Sequence, residues 1–108
     1  IGAPAVELHT GAYCEAVIAG NDGLAVDELE RITHAAAYGA EIGLEIHAGH
    51  GLSYDTVGPV AAIPTIVELN IGHFLVGEAI FSGLDGAIKH MRALMDEARA
   101  GPAARVSA

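Results

Sequence analysis

Leu44-Glu45-Ile46-His47-Ala48-Gly49-His50-Gly51-Leu52-Ser53-Tyr54 is a short apolar strand that runs into two histidines and two glycines and then stops. Leu44, Ile46 and Ala48 share one parity, while Glu45 and His47 share the other. A strand here buries one face and aims polar groups off the other. His50 sits just past the strand end, between glycines that let the backbone turn sharply and approach a ligand closely. In parallel α/β folds the loop leaving a strand's carboxyl end is where chemistry is placed.

Two further stretches repeat this pattern. Val6-Glu7-Leu8-His9-Thr10-Gly11, Leu44 to Gly49 and Val67-Glu68-Leu69-Asn70-Ile71-Gly72 each read apolar, Glu, apolar, His or Asn, any residue, Gly. The spacing predicts strands at Ala5–His9, Leu44–Ala48 and Ile66–Ile71. Ile1 to Pro4 reads as a turn into the first strand, and Tyr13 to Gly23 as a polar, glycine-containing loop. Asn21-Asp22-Gly23 starts a helix whose stripe of Leu24, Leu29, Ile32 and Ala36 runs to Ile42, and Gly43 stops it. Asp55 to Ile63 forms a short helix ended by Pro64. Gly72-His73 opens a helix over Phe74 to Ser82, and Leu84 to Ala100 carries Ile88, Met91, Leu94 and Met95 inward. The remainder, 101–108, reads as a flexible tail.

The order βαβαβα predicts a parallel sheet with right-handed crossovers. An open sheet would press both strand faces against helices, where polar residues of one parity are costly. A barrel removes the conflict, because one parity faces an interior whose upper layer can hold an active site. Three units cannot close an eight-stranded barrel, which typically takes about 250 residues. Residues 1–100 therefore read as roughly the last three βα units of a TIM (β/α)8 barrel.

The bulk numbers agree with this reading. The chain has 108 residues, 52% of them hydrophobic, with a mean hydropathy of +0.41. That is more apolar than one small domain needs, as expected of strands covered on one face by helices and on the other by a barrel interior. No apolar run approaches the roughly 18 residues of a membrane span, and no targeting segment is expected. A net charge of −9 argues against nucleic acid or an anionic membrane as partner. Cys14 is the single cysteine, which excludes an internal disulfide and fits a reducing cytoplasm.

His50 is the leading acid–base candidate, since a histidine titrates near neutrality and this one can reach a bound substrate; a plain loop hydrogen bond is the alternative. Glu7 lies on the inward parity near a strand's carboxyl end. A buried carboxylate there must be paired or protonated, which suits it either to stabilise a charged intermediate or to form a structural ion pair. Gly72 and His73 open a helix after the last strand, where free amides favour phosphate. The basic residues Arg31, Lys89, Arg92, Arg99 and Arg105 all lie outside the glycine–histidine loops, so an anion would rely on amides, histidines and helix ends. His9, His47 and Asn70 either line the pocket or are satisfied interior groups; Glu45 and Glu68 read as lower interior groups, His34 and His90 as surface residues, and Cys14 as an inert loop residue. His47 and His50 are spaced like possible metal ligands. There is no His-Glu-x-x-His run and no cysteine cluster, so no metal is expected.

The segments GAPAVELHTGAY (Gly2 to Tyr13), LEIHAGHGLSY (Leu44 to Tyr54), AAIPTIVELNIGHFLVGEAIFSGL (Ala61 to Leu84) and MRALMDEAR (Met91 to Arg99) together resemble the C-terminal part of the pyridoxine 5′-phosphate synthase family of vitamin B6 biosynthesis. The resemblance spans nearly all of Ile1 to Ala100. It implies a TIM barrel with extra helices, a cytoplasmic homo-octamer, and no metal or organic cofactor. The implied reaction condenses two small phosphorylated substrates, 3-amino-2-oxopropyl phosphate and 1-deoxy-D-xylulose 5-phosphate, into pyridoxine 5′-phosphate, phosphate and water. By motif, His50 becomes the proton donor and Glu7 the stabiliser of the transition state, while Gly51, Gly72 and His73 hold the aminooxopropyl phosphate. The family's other general bases, its arginine and its deoxyxylulose-phosphate contacts lie in an N-terminal half that this sequence does not contain, and His47 stands where some members have Asn. The alternative is a truncated, non-catalytic barrel fragment that at most binds phosphate or self-associates through an open sheet edge.

Overall fold

The computed structural model describes the backbone of residues 4–107 and the side chains of 4–100. In chain order the elements are β1 (Ala5–His9), α1 (Gly11–Ile18), α2 (Asp22–Glu41), β2 (Glu45–Gly49), α3 (Val57–Ala61), β3 (Ile66–Asn70), α4 (His73–Ser82) and α5 (Leu84–Ser107). The strands form one parallel sheet in the order β1-β2-β3. Parallel neighbours joined through helices are the repeating unit of a TIM barrel, of which this chain supplies three. The turn expected over Ile1–Ala3 lies outside the described residues.

Local chemistry explains most boundaries. The Asn21 side chain accepts the Leu24 N–H at 3.2 Å and caps α2, with Asp22 in the first turn favouring the positive helix end. At the other end Gly43 takes φ +89. Its N–H donates to Ala40 O and that of Leu44 to Gly39 O, so the last carbonyls of α2 are satisfied as the chain turns into β2.

The core lies between the helices and one sheet face. Ile32 and Ala36 of α2 pack with Ile46 and Ala48 of β2, and with Val60, Ile63 and Ile66. Gly39 permits this approach, because a Cβ there would stand 2.5 Å from Ile46 Cδ1. A second cluster joins Val57 and Ala61 of α3 to Met91 of α5, flanked by Tyr54, Phe74, Leu94 and Met95. Arg99 ties α5 to the sheet's lower end, where its Nη1 donates to Ile63 O at 2.6 Å and Ile66 O at 3.0 Å, with longer contacts to Ala61 O and Pro64 O.

Several expectations are corrected. Gly11–Ile18 is a helix where a loop was predicted; its small and apolar residues lack a polar stripe, yet Tyr13, Cys14 and Ala16 are buried in the core. Leu24 and Ile88 are 46% and 49% exposed, since each lies near the start of its helix, beyond the covered stripe. Val67 is 61% exposed. Ile46 pairs with Ile66 but His47 pairs with Glu68, so β3 bulges by one residue and Val67 leaves the apolar face. The last helix continues past Ala100 to Ser107, through Gly101 and Pro102, where a tail was expected. The side chains of that segment lie outside the described residues.

Candidate active site

The register across the sheet decides which polar groups meet. Glu7 pairs with His47 and His47 with Glu68; one step higher, His9 pairs with Gly49 and Gly49 with Asn70. Relative to the sequence repeat, β2 is displaced by two residues, so His47 stands level with Glu7 and Glu68 rather than with His9 and Asn70. An even displacement keeps every side chain on its face, and such stagger is how parallel strands tilt around a barrel. Gly49 is required at this height, since a Cβ there would lie 2.8 Å from the Asn70 carbonyl oxygen.

At the carboxyl ends of the strands an open cleft of about 470 Å³ is lined by Glu7, His50, Gly51, Leu52, Asn70, Ile71, Gly72, His73 and Phe74. The five candidates from sequence, Glu7, His50, Gly51, Gly72 and His73, all reach it. Glu7 is exposed on the interior-parity face rather than buried, because no element among the described residues covers that face. The Asn70 Nδ2 donates to its Oε1. His50 holds φ +89 and Gly51 φ +82. At Gly51 the reason for glycine is double, since a Cβ would also approach Cys14 Cβ to 3.3 Å. The His9 ring stacks on that of His50, and its Nδ1 accepts the Gly11 N–H at 3.2 Å.

Gly72 is the N-cap of the ten-residue α4 and offers no side-chain cap. The amides of a helix's first turn have no intrahelical partner, and the residues that open this one, Gly72, His73 and Phe74, line the cleft. Below the cleft, His47 lies between Glu45, at its Nε2, and Glu68, 3.3 Å from its Nδ1. The hydrogen bond that His47 Nε2 donates to the Glu45 carboxylate raises the His47 pKa most; partial desolvation opposes it, and the charges of Glu68, Glu45 and Glu7 add to it. Burial pushes the Cys14 thiol up, which suits a packed, unreactive cysteine on a helix rather than in a loop. His34 is exposed as expected, and exposed His90 tilts over Tyr54 at 4.0 Å. Among the described residues no three His, Cys, Asp or Glu side chains converge as a metal site requires, and no helix is long and apolar enough to cross a membrane.

Sequence reasoning passed over Thr10. It occupies the variable slot of the repeat, but its hydroxyl is fully buried and contacts the loop that carries His50. A lone threonine in a βα turn gives no signal of that reach.

Parallel strand–helix units with polar side chains along the inward parity, and a cleft at the strands' carboxyl ends, define part of a TIM-barrel enzyme fold. Comparison with known proteins gives the family: residues 1–97 match the model for pyridoxal phosphate biosynthesis protein PdxJ, and the chain belongs to that family. It is 61% identical over 100 residues to the pyridoxine 5′-phosphate synthase of Ruegeria pomeroyi, covering 93% of this chain and 40% of that protein. To the synthase of Caulobacter vibrioides it is 63% identical over 98 residues, 91% of this chain and 39% of the relative. To that of a Jannaschia species it is 58% identical over 99 residues, 92% and 40% of the two chains. The chain thus spans about 40% of the length of the curated relatives it matches, their C-terminal part.

Proposed function

We propose that this chain is the C-terminal portion of a pyridoxine 5′-phosphate synthase, which condenses 3-amino-2-oxopropyl phosphate with 1-deoxy-D-xylulose 5-phosphate to give pyridoxine 5′-phosphate, phosphate and water. The observation that carries the reading is the convergence of Glu7, His50, Gly51, Gly72 and His73 on one cleft beside an uncapped helix N-terminus. The α4 amides and Gly72 take the phosphate of the aminooxopropyl substrate, with His73 beside them and Gly51 leaving room for its backbone. The substrate amine attacks the ketone of the second substrate to form an imine, and water and phosphate must leave before the ring closes. His50 delivers the protons those departures require, and the Glu7 carboxylate, held by Asn70, steadies positive charge developing nearby. No metal or organic cofactor has a part in this scheme. The full protein is read as a cytoplasmic homo-oligomer, an octamer by family resemblance, that binds neither nucleic acid nor membrane.

The test is direct. The full-length protein supplied with both substrates is expected to release pyridoxine 5′-phosphate, and His50→Ala to lower turnover on the order of a hundredfold or more, as loss of a general acid does. No product from the full-length protein sinks the reaction; an unchanged rate in the variant sinks the role of His50.

A second reading applies to the 108 residues alone. β1 and β3 each present an edge that no strand among the described residues pairs, and open edges template association. This predicts that the isolated piece forms no product and self-associates with rising concentration. A monomer that turns over would refute it.

A further inference from the structure

Thr10 joins the end of β1 to the loop leaving β2. Its Oγ1 stands 2.8 Å from the Gly49 carbonyl oxygen and 2.7 Å from that of His50, and its backbone N–H donates to Gly49 O at 2.9 Å. The side chain is fully buried, so these carbonyls are its alternatives to water. Successive carbonyls in an extended strand point to opposite sides. Bringing two of them to one hydroxyl requires the chain to leave the β conformation at His50, which is where it adopts φ +89. A residue with a Cβ enters that region only when its surroundings impose it. Thr10 is not among the residues lining the cleft.

We infer that Thr10 is a positioning residue for His50: its hydroxyl gathers the Gly49 and His50 carbonyls, imposes the left-handed backbone at His50, and so aims the imidazole over the cleft. The functional half of this inference rests on the proposed role of His50, while the conformational half stands without it. The His9 ring supports the imidazole from the side and the Cys14 thiol reaches the His50 carbonyl at 3.8 Å, but among the described residues Thr10 is the side chain that contacts both the Gly49 and the His50 carbonyls.

Two measurements on the full-length protein decide the matter. In steady-state kinetics, Thr10→Val, which keeps the shape and removes the hydroxyl, is expected to lower kcat about tenfold or more while leaving KM for both substrates within about twofold, the pattern of an interaction used in the transition state. Thr10→Ser is expected to restore most of the rate. Equal kcat in Thr10→Val and the parent overturns the inference, as does a Ser variant no better than Val. The second measurement needs no activity: a thermal-denaturation cycle of Thr10→Val, His50→Gly and the double variant. Glycine takes positive φ without a clamp, so the Tm loss from Thr10→Val should shrink in the His50→Gly background. Additive losses, or failure of Thr10→Val to fold in both backgrounds, overturn the clamp; folding only with His50→Gly is the same coupling at its limit. If the full-length parent makes no product, the synthase reading fails and the cycle still decides the conformational claim.

Discussion

The imidazole of His9 lies against that of His50, with ring centroids 4.2 Å apart and planes inclined by 27°. The two residues are 41 positions apart and meet because parallel pairing sets His9 opposite Gly49, one residue before His50. Acceptance of the Gly11 N–H at Nδ1 leaves Nε2 to carry the proton of neutral His9. His9 is thus a fixed plate on which the other ring rests. Stacked aromatic pairs contribute about 0.5–1.5 kcal/mol beyond burial. In the full-length protein His9→Ala should therefore lower turnover up to about tenfold, less than His50→Ala, while His9→Phe restores part of it. A rate for His9→Ala equal to the parent would show that the stack does not matter to the reaction.

Gly49 and Gly77 should respond oppositely to the same substitution. A Cβ on Gly49 would stand 2.8 Å from a backbone oxygen of β3 that cannot move without breaking the sheet, whereas one on Gly77, within α4, meets nothing within 4 Å. Gly49→Ala should destabilise by about 2 kcal/mol or more, the range for overpacking at a rigid site. Gly77→Ala should be neutral or add up to about 1 kcal/mol through helix propensity. Chemical denaturation of the two variants beside the parent tests the contrast, and equal shifts would contradict the close approach of β2 and β3.

Arg99 holds the turn between α3 and β3 through carbonyls on Ala61, Ile63, Pro64 and Ile66. Its planar fork reaches several acceptors at once, which a lysine ammonium on a flexible stem cannot match. Hydrogen bonds to a charged donor contribute about 1.5–3 kcal/mol, so Arg99→Ala should cost about 2 kcal/mol and Arg99→Lys should recover only part. Full recovery by lysine in denaturant melts would mean that charge alone, and not the fork, is what counts.

His47 makes stability depend on pH in a definite direction. Its folded-state pKa lies above the value of about 6.5 expected of an unfolded histidine. The contribution is therefore complete below about pH 6.5 and is lost as pH rises through the folded-state pKa. Both carboxylate partners are more than half exposed, so salt should weaken the effect. Thermal melts across pH 5 to 9 should show the parent losing Tm relative to His47→Asn as pH rises. A constant difference across that range would remove His47 from the account.

The strands and the cleft were legible because alternation at Val6 to His9 and Leu44 to His47, followed each time by glycine, has few other physical readings. The helix at Gly11–Ile18 was not, since residues such as Ala12, Tyr13, Cys14 and Ala16 carry no polar stripe to mark a period, and burial of Tyr13 and Cys14 outweighs their weak local preference. The bulge at Val67 was hidden because Ile66 and Val67 are equally apolar; only pairing with β2 selects which one faces the core. Glu7 was placed on the correct face but taken as buried, because the argument supplied a closed interior that this chain does not itself enclose. Thr10 was invisible for a different reason: its partners lie 39 and 40 residues away, and nothing in its neighbours announces them.

The two-residue displacement of β2 controls elevation rather than orientation. Each pair of residues advances a strand by about 6.6 Å, so removing two from β2 would leave every side chain on its proper side while lowering the His50 turn by more than the length of an imidazole. Thr10 would then address empty space, and His9 would have no ring to rest on. A graft of this loop onto another barrel therefore succeeds or fails on the altitude of its receiving strand, a quantity that motif similarity does not reveal.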